Sequence, residues 1–241
     1  RDMFGLQPMR DRLRLRWKRL QLSTQISLYS SIALILFGGI CFFALEYNNT
    51  LQGMNGAEAA ISAIFQSVTC RTAGFNTVYM SLLGIPILII MIFLMFIGGS
   101  SVSTAGGIKT STFMIILISA YSTVRGKRSI EIFKHSIAYD LLNKAFSILI
   151  FSLSLVFFST FLLSITDPEF GLINLAFEEV SAFGTVGLST GITAQLSDWG
   201  KVIIILSMFF GRVGMLTLVF ALSKKVQTTS YKYPDAHFMV G

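Results

Sequence analysis

The sequence predicts an all-α integral membrane fold with two parallel repeats, each made of a helix, a short re-entrant helix, a loop and a second helix. The chain of 241 residues is 53% hydrophobic and only 13% charged, whereas soluble domains carry about a quarter charged residues. Its apolar residues form long runs. In addition, a Thr/Gly loop occurs twice, as "TCRTAGFNT" at residues 69–77 and "AFGTVGLST" at residues 182–190.

The charged residues predict how the chain is oriented in the membrane. Seven basic residues lie within residues 1–19 and three within residues 125–128, and three more lie near the end of the chain. Residues 46–80 and 166–200 together hold seven acids and one base, Arg71. Basic segments face the cytoplasm, so the net charge of +7 follows topology. Because the sequence contains no motif that binds a nucleic-acid groove, this positive charge does not indicate a nucleic-acid partner.

The predicted boundaries divide the chain into five parts. These are a basic cytoplasmic arm at 1–24, a first repeat at 25–124, a cytoplasmic connector at 125–138, a second repeat at 139–225 and a cytoplasmic tail at 226–241. We expect the arm to contact anionic lipid headgroups. A docking surface for a cytoplasmic partner is the alternative.

Each repeat starts with an apolar run that can cross a bilayer and continues with one that cannot. Residues 26–45 and 141–165 are long enough, because a crossing takes about 20 apolar residues. Residues 57–68 and 171–182 are 12 residues each, so we expect re-entrant helices there. The second repeat closes with residues 202–222.

Glycine and hydroxyl residues interrupt the last apolar segment of the first repeat. As one helix, residues 82–120 would be about 58 Å long, nearly twice the hydrocarbon thickness. The stretch "GGSSVSTAGGIKTST" at 98–112 contains four glycines and breaks this helix. Irregular backbone at membrane depth is tolerated only where protein or a water-filled cavity satisfies it. The break therefore predicts a wet cavity.

The repeated Thr/Gly loop favours a cation pore. Backbone carbonyls can replace the water shell of a cation, and glycine adopts the unusual backbone angles that this requires. Threonine adds a hydroxyl oxygen, and the helix before the loop directs its negative end toward the ion. A glycine turn that only connects two helices is the alternative.

These features resemble the Trk/Ktr/HKT superfamily of potassium transporters, most closely the C-terminal half of the bacterial Ktr-type membrane subunit. "TVG" followed by Leu188 is similar to a degenerate potassium-channel filter, and "GGSSVSTAGGIKT" is similar to the broken helix of the family. The resemblance covers essentially the whole chain. It implies four helix–pore-loop–helix repeats around one ion path, so this chain would be the third and fourth repeats, half of a pseudo-fourfold potassium-channel-like pore.

The resemblance also implies a set of site residues. The expected potassium-binding filter consists of Thr72, Ala73, Gly74, Thr185, Val186 and Gly187. Leu188 and Phe75 stand where a channel filter has tyrosine, which implies fewer well-formed ion sites. The break implies an intramembrane gating loop at 98–112. The expected gating residues are Gly98, Gly99, Gly106, Gly107, Lys109 and Arg212.

Four charged residues inside the apolar segments allow two interpretations each. Lys109 faces a cavity or a partner, or it snorkels to the cytoplasmic interface. Arg212 lies in the middle of residues 202–222, so we expect it near the bilayer centre, either as a pore charge beside the gate or in a buried pair that holds helices together. Glu178 and Glu179 are vestibule charges that attract cations, or they form a solvated face.

The function implied by the resemblance is potassium uptake across the plasma membrane of a bacterium, without enzyme activity. We expect no cofactor in this chain, with ATP or ADP on a cytoplasmic RCK-type regulatory ring. The other expected partners are membrane lipid, a second copy in a homodimer, and an N-terminal half of the same polypeptide, because the chain begins without Met on a cytoplasmic linker. Two copies of this chain pairing around the ion is the alternative.

Three other functions are compatible with membrane composition. A secondary transporter of a small solute would use broken helices at mid-membrane, but it predicts inverted repeats, which the charge pattern opposes. An intramembrane enzyme needs paired acids, a Ser/His set or a metal cluster within the spans, and the sequence contains none. A non-conducting scaffold subunit with vestigial loops is the third.

Overall fold

The fold is a helical assembly in which the same arrangement occurs twice. The computed structural model describes residues 21–100, 103–126, 131–132, 135–214 and 217. The first repeat contains α1 (Leu22–Glu46), α2 (Gly56–Thr69), α3 (Ile85–Phe96) and α4 (Thr110–Val124). A two-residue antiparallel pair, β1 (Glu131–Ile132) with β2 (His135–Ser136), follows. The second repeat contains α5 (Tyr139–Thr166), α6 (Leu172–Phe183) and α7 (Asp198–Val213). Single 3-10 turns lie at Met80–Leu82, Pro168–Phe170 and Thr193–Gln195.

The first helix of each repeat is long and apolar enough to cross a bilayer. Helices α1 and α5 have 25 and 28 residues and apolar windows of mean hydropathy 2.2 and 2.4. At 1.5 Å per residue they are about 37 and 42 Å long. Large apolar side chains such as Ile40 and Phe157 are exposed on these helices. By length and composition, these two helices match the two predicted outward crossings.

The short helices and the interrupted helix form where the sequence predicts them, with shifted boundaries. Helices α2 and α6 have 14 and 12 residues. The helix break is narrower than the predicted residues 98–112, because α3 ends at Phe96 and α4 already begins at Thr110. The backbone N–H and the hydroxyl of Thr110 donate to the Gly99 carbonyl, at 3.0 and 3.3 Å, and stabilise this earlier start.

The last helix ends earlier than the sequence predicts. Gly214 has φ 87°, which ends α7 at Val213. Arg212 therefore lies in the last turn of α7, and the prediction that it occupies the middle of a continuous helix over 202–222 is wrong. Most of the predicted N-terminal arm (residues 1–20) and the predicted tail (226–241) lie outside the described residues.

Helix α6 joins the two repeats. It packs against α5 and α7 of its own repeat and against α3 of the first repeat. The main apolar core lies at this junction and includes Phe42, Met91, Leu94 and Phe177, all nearly inaccessible to solvent. Because the core draws on both repeats and includes residues of both Thr/Gly loops, it holds the two loops next to each other.

An acidic side chain closes each repeat at the end of its first helix. The Glu46 carboxylate accepts the N–H of Gly84, the N-cap of α3, at 3.0 Å, and it also accepts from Asn49 and Thr50. Asp167 accepts the N–H and the hydroxyl of Ser197, the N-cap of α7, at 2.6 and 2.9 Å. Both carboxylates are almost fully buried, at 2% and 4% exposure. Each acid therefore fixes the start of the helix that follows the Thr/Gly loop against the end of the first helix.

The hydrogen bonds to Asp167 also set its ionisation. Burial alone would raise the pKa of this carboxyl. The Thr166 hydroxyl and the two groups of Ser197 donate to the carboxylate, Lys201 lies nearby, and together they outweigh burial, so that the pKa of Asp167 is below its usual range. Since the pKa is lower in the folded chain, the stabilisation is complete above the unfolded value of about 3.9 and is lost as pH falls through the folded pKa.

We expect Asp167→Asn to destabilise the complete protein at neutral pH by about 1–3 kcal/mol, because the amide cannot accept all three hydrogen bonds. The variant should also lose part of the stability change seen on acidification. Thermal unfolding of the detergent-solubilised protein against pH measures both effects. The matched control is Asp140→Asn, an exposed acid in the first turn of α5. Equal destabilisation by the two substitutions would contradict the role given to Asp167.

Candidate functional site

The two Thr/Gly loops have the same unusual backbone. Thr72 has φ 71° and Thr185 has φ 51°, and among the described residues they are the only ones other than glycine with positive φ. Gly74 and Gly187, two positions later, have φ 78° and 90°. A residue with a Cβ in this region costs roughly 1–2 kcal/mol. Strain at equivalent positions of two repeats indicates that the loop conformation is required.

The loops meet at their glycines. A Cβ added to Gly74 would overlap the carbonyl oxygen of Val186 and would lie 3.5 Å from the Cα of Gly187. A Cβ on Gly187 would lie 3.8 Å from the Cα of Gly74. All six predicted filter residues therefore belong to two loops that touch, and only glycine permits this approach at position 74.

Hydroxyl groups of the short helices brace both loops. The Thr69 hydroxyl donates to the Phe75 carbonyl at 2.5 Å, and the Ser181 hydroxyl donates to the Leu188 carbonyl at 2.6 Å. These bonds hold the residue that follows each glycine. Sequence analysis missed the two braces, although a hydroxyl residue precedes the Thr/Gly pattern in both repeats.

The acids of α6 are buried, which contradicts both interpretations given to them above. Glu178 is 5% exposed and accepts from Ser189, from the backbone and hydroxyl of Thr190, and from Thr193, so it braces the chain leaving the second loop. Glu179 is 0% exposed. Neither side chain is a vestibule charge or part of a solvated face.

The break between α3 and α4, here called the break segment (residues 97–109), is closed at its base. Residues 101 and 102 of this segment lie outside the described residues. The Gly98 N–H donates to the Ile108 carbonyl at 2.8 Å, and the Ile108 N–H donates to the Phe96 carbonyl at 3.2 Å. The ends of the segment therefore lie side by side, and the residues between them form a loop.

The break segment lies against both Thr/Gly loops. The Gly106 N–H donates to the Thr185 hydroxyl at 3.0 Å. A Cβ on Gly107 would be 3.5 Å from the Cα of Gly184, and the Arg71 guanidinium donates to the Gly98 carbonyl at 3.3 Å. The segment thus contacts the second loop through backbone and hydroxyl groups and the first through the Arg71 guanidinium, and a side chain at 106 would overlap Thr185.

Two cations hold the middle of the break segment. The Lys109 ammonium donates to the carbonyls of Ser103, at 3.1 Å, and of Ala105. The Arg212 guanidinium of α7 donates to the carbonyl of Thr104 between them. Lys109 therefore binds its own loop. It also lines a cavity of about 100 Å³ between the break segment, α5 and α7.

Comparison with known proteins identifies relatives over nearly the whole chain. The chain is 40% identical to Ktr system potassium uptake protein B of Bacillus subtilis over 94% of its length, and 39% identical to potassium/sodium uptake protein NtpJ of Enterococcus hirae over 94%. It covers 51% of each, so the chain spans about half the length of the curated relatives it matches.

The fold is also similar to a solved structure. The crystal structure of the potassium transporter TrkH from Vibrio parahaemolyticus superposes with a TM-score of 0.69 at 20% identity, covering 82% of this chain and 44% of that one. Its likeness supports an all-α membrane transporter fold.

The family assignment rests on a family model as well. The model described as TrkH, cation transport protein, matches residues 20–233. The predicted superfamily, a transport protein of the cell membrane with several crossings and no enzyme activity, agrees with this match and with the relatives above. This chain belongs to the TrkH family of cation transport proteins.

Proposed function

We propose that this chain forms the third and fourth pore repeats of a potassium uptake protein of the bacterial cell membrane. The observation that carries the proposal is the pair of adjacent loops with left-handed backbone at Thr72 and Gly74 and at Thr185 and Gly187. The relatives named above, a potassium and a potassium/sodium uptake protein, support the choice of ion.

The filter in this proposal uses backbone oxygens of both loops. A left-handed residue at every second position turns successive carbonyls toward the same side, and the two threonines add hydroxyls. The ion is then coordinated without a fixed negative charge, as in other potassium filters. Helices α2 and α6 end where the loops begin, so the negative ends of their dipoles favour a cation there.

The remaining walls of the pore come from outside this chain. Two loops supply two walls, and we assign the other two to an N-terminal half of the same polypeptide, since the chain spans about half the length of its relatives. The proposal includes a homodimer and a cytoplasmic RCK-type ring that binds ATP or ADP and regulates flux.

The break segment is the gate in this proposal. It lies against the second filter loop, with Gly106 bound to Thr185 and Gly107 against Gly184. Lys109 and Arg212 hold the carbonyls of residues 103–105, and their charges oppose a cation leaving the filter. Conduction then requires the segment to leave this position.

We expect Gly187→Ser to reduce the preference for potassium over sodium by about tenfold or more, a change of about 1.4 kcal/mol, because serine disfavours φ 90° and turns the filter carbonyls. Uptake of potassium, rubidium and sodium by cells that express the complete protein measures this. Gly53→Ser is the matched control, since Gly53 also has φ 90° but lies in the turn between α1 and α2 with no atom within 4 Å of an added Cβ. Unchanged selectivity and uptake in Gly187→Ser would exclude the filter and favour a scaffold subunit.

We expect Lys109→Gln and Arg212→Gln each to raise basal potassium flux, by up to about tenfold, because each removes charge-assisted hydrogen bonds that hold the segment closed. Deletion of residues 98–107 should raise flux further. Lys144→Gln, an exposed lysine of α5, is the control for loss of one positive charge. A deletion variant that is inactive or indistinguishable from the wild type counts against the gate.

A further inference from the structure

The two repeats differ in polarity at one equivalent place behind the loops. In the first repeat, Gly38 of α1, Ser67 of α2 and Leu94 of α3 meet: a Cβ on Gly38 would overlap the Ser67 hydroxyl and the Leu94 side chain. The Ser67 hydroxyl is satisfied, since it donates to the Ile35 carbonyl at 2.8 Å. This place in the first repeat therefore contains one hydroxyl, which has a hydrogen-bond partner, and no ionisable group.

In the second repeat the same place is polar. Ser159 is equivalent to Gly38, because each lies eight residues before the acid that ends its helix region, Asp167 or Glu46. Ser207 is equivalent to Leu94, because each lies ten residues after the N-cap of its helix. Glu179 takes the position of Ser67. A carboxyl and two hydroxyls, one from each helix of the repeat, thus replace a glycine, a leucine and one serine whose hydroxyl has a partner.

The Glu179 carboxyl is enclosed without a partner. It is 0% exposed, and neither of its oxygens accepts a hydrogen bond. Ser159 and Ser207 lie beside it, but the Ser207 hydroxyl donates to the Ser159 hydroxyl at 3.2 Å. This chain alone buries the Glu179 carboxyl completely, although it spans only about half the length of its relatives. A group from the rest of a longer protein therefore does not reach this carboxyl in the arrangement seen here.

No positive charge among the described residues neutralises Glu179. Helix α3, which packs on α6, contains no ionisable residue. On α5 the charged residues are Asp140 and Lys144, at the other end of the helix. On α7, Lys201 lies beside Asp167 and Arg212 binds the Thr104 carbonyl.

Within α6, the neighbouring Glu178 is engaged by Ser189, Thr190 and Thr193. An ionised carboxylate that is buried without a partner is too costly to persist and takes up a proton instead.

We propose that Glu179, Ser159 and Ser207 form a proton-binding site behind the second loop, in which Glu179 carries a proton. The neutral acid offers an O–H to the two serine hydroxyls and requires no counter-ion. The proton leaves when water reaches the carboxyl, which requires α5 or α7 to separate from α6. Because α6 carries Ser181, the brace of the second loop, release of the proton loosens that loop.

The test compares two neighbouring glutamates in the complete protein. Glu179→Gln keeps the shape and neutrality of the protonated acid, so potassium uptake should stay within about twofold of the wild type. Above the ordinary glutamate value of about pH 4.3, the wild type should become progressively less stable than Glu179→Gln, because only the wild type must keep a proton. Thermal unfolding in detergent from about pH 5 to about pH 9 measures this.

Glu178→Gln is the contrasting variant. Because Glu178 accepts several hydrogen bonds, we expect this substitution to destabilise the protein. Infrared spectra add a direct signal: a protonated-carboxyl C=O band that disappears in Glu179→Gln. The proposal is overturned if Glu179→Gln is less stable than the wild type throughout, or if that band does not change. It is also overturned if sodium or lithium stabilises the wild type but not Glu179→Gln, which would indicate a bound metal ion. Failure of both Glu179→Gln and Glu179→Met to fold would overturn it too.

Discussion

Two threonines with left-handed backbone, Thr72 and Thr185, determine what the rest of the fold must supply. This conformation is unfavourable for a residue with a Cβ, so the surroundings have to hold it. Each short helix provides a hydroxyl that fixes the far side of the loop, from Thr69 or Ser181. The apolar core packs α3 against α6 and includes residues of both loops. The strained loops are therefore positioned by rigid elements on both sides.

The two repeats use the same side-chain interactions to shape their loops, but they differ in the groups that surround the loops. Both place a buried acid, Glu46 or Asp167, on the N-cap of the helix that follows the loop. Within the described residues, the break segment occurs in the first repeat, and buried carboxyls of a short helix occur in the second. In the proposed pore, these differences allow the break segment of the first repeat to move while Glu178 and its hydrogen bonds hold the second loop in place.

Local sequence patterns predicted the elements, and tertiary contacts decided the details that were missed. The lengths of the apolar runs and the repeated Thr/Gly pattern were sufficient to place the helices and both loops. Thr110 was assigned to the break because its helix start depends on the Gly99 carbonyl eleven residues away. Arg212 was placed in mid-helix because the hydropathy continues past Gly214, whose positive φ ends α7. The sequence predicts vestibule charges or a solvated face at Glu178 and Glu179, because the groups that surround them, within residues 189–193 and at the serines of α5 and α7, are not adjacent in the sequence.

The position of Lys109 and Arg212 links closure of the proposed gate to the charge of the ion. Both cations donate to carbonyls of the break segment, which leave their net charge unchanged, and the same segment lies against the second loop. A cation that leaves the filter meets this repulsion. When the segment moves in this proposal, the Thr104 carbonyl separates from Arg212, whose exposed side chain is then no longer held beside the segment. One movement thus removes the loop from the path and releases a positive charge that opposes the cation.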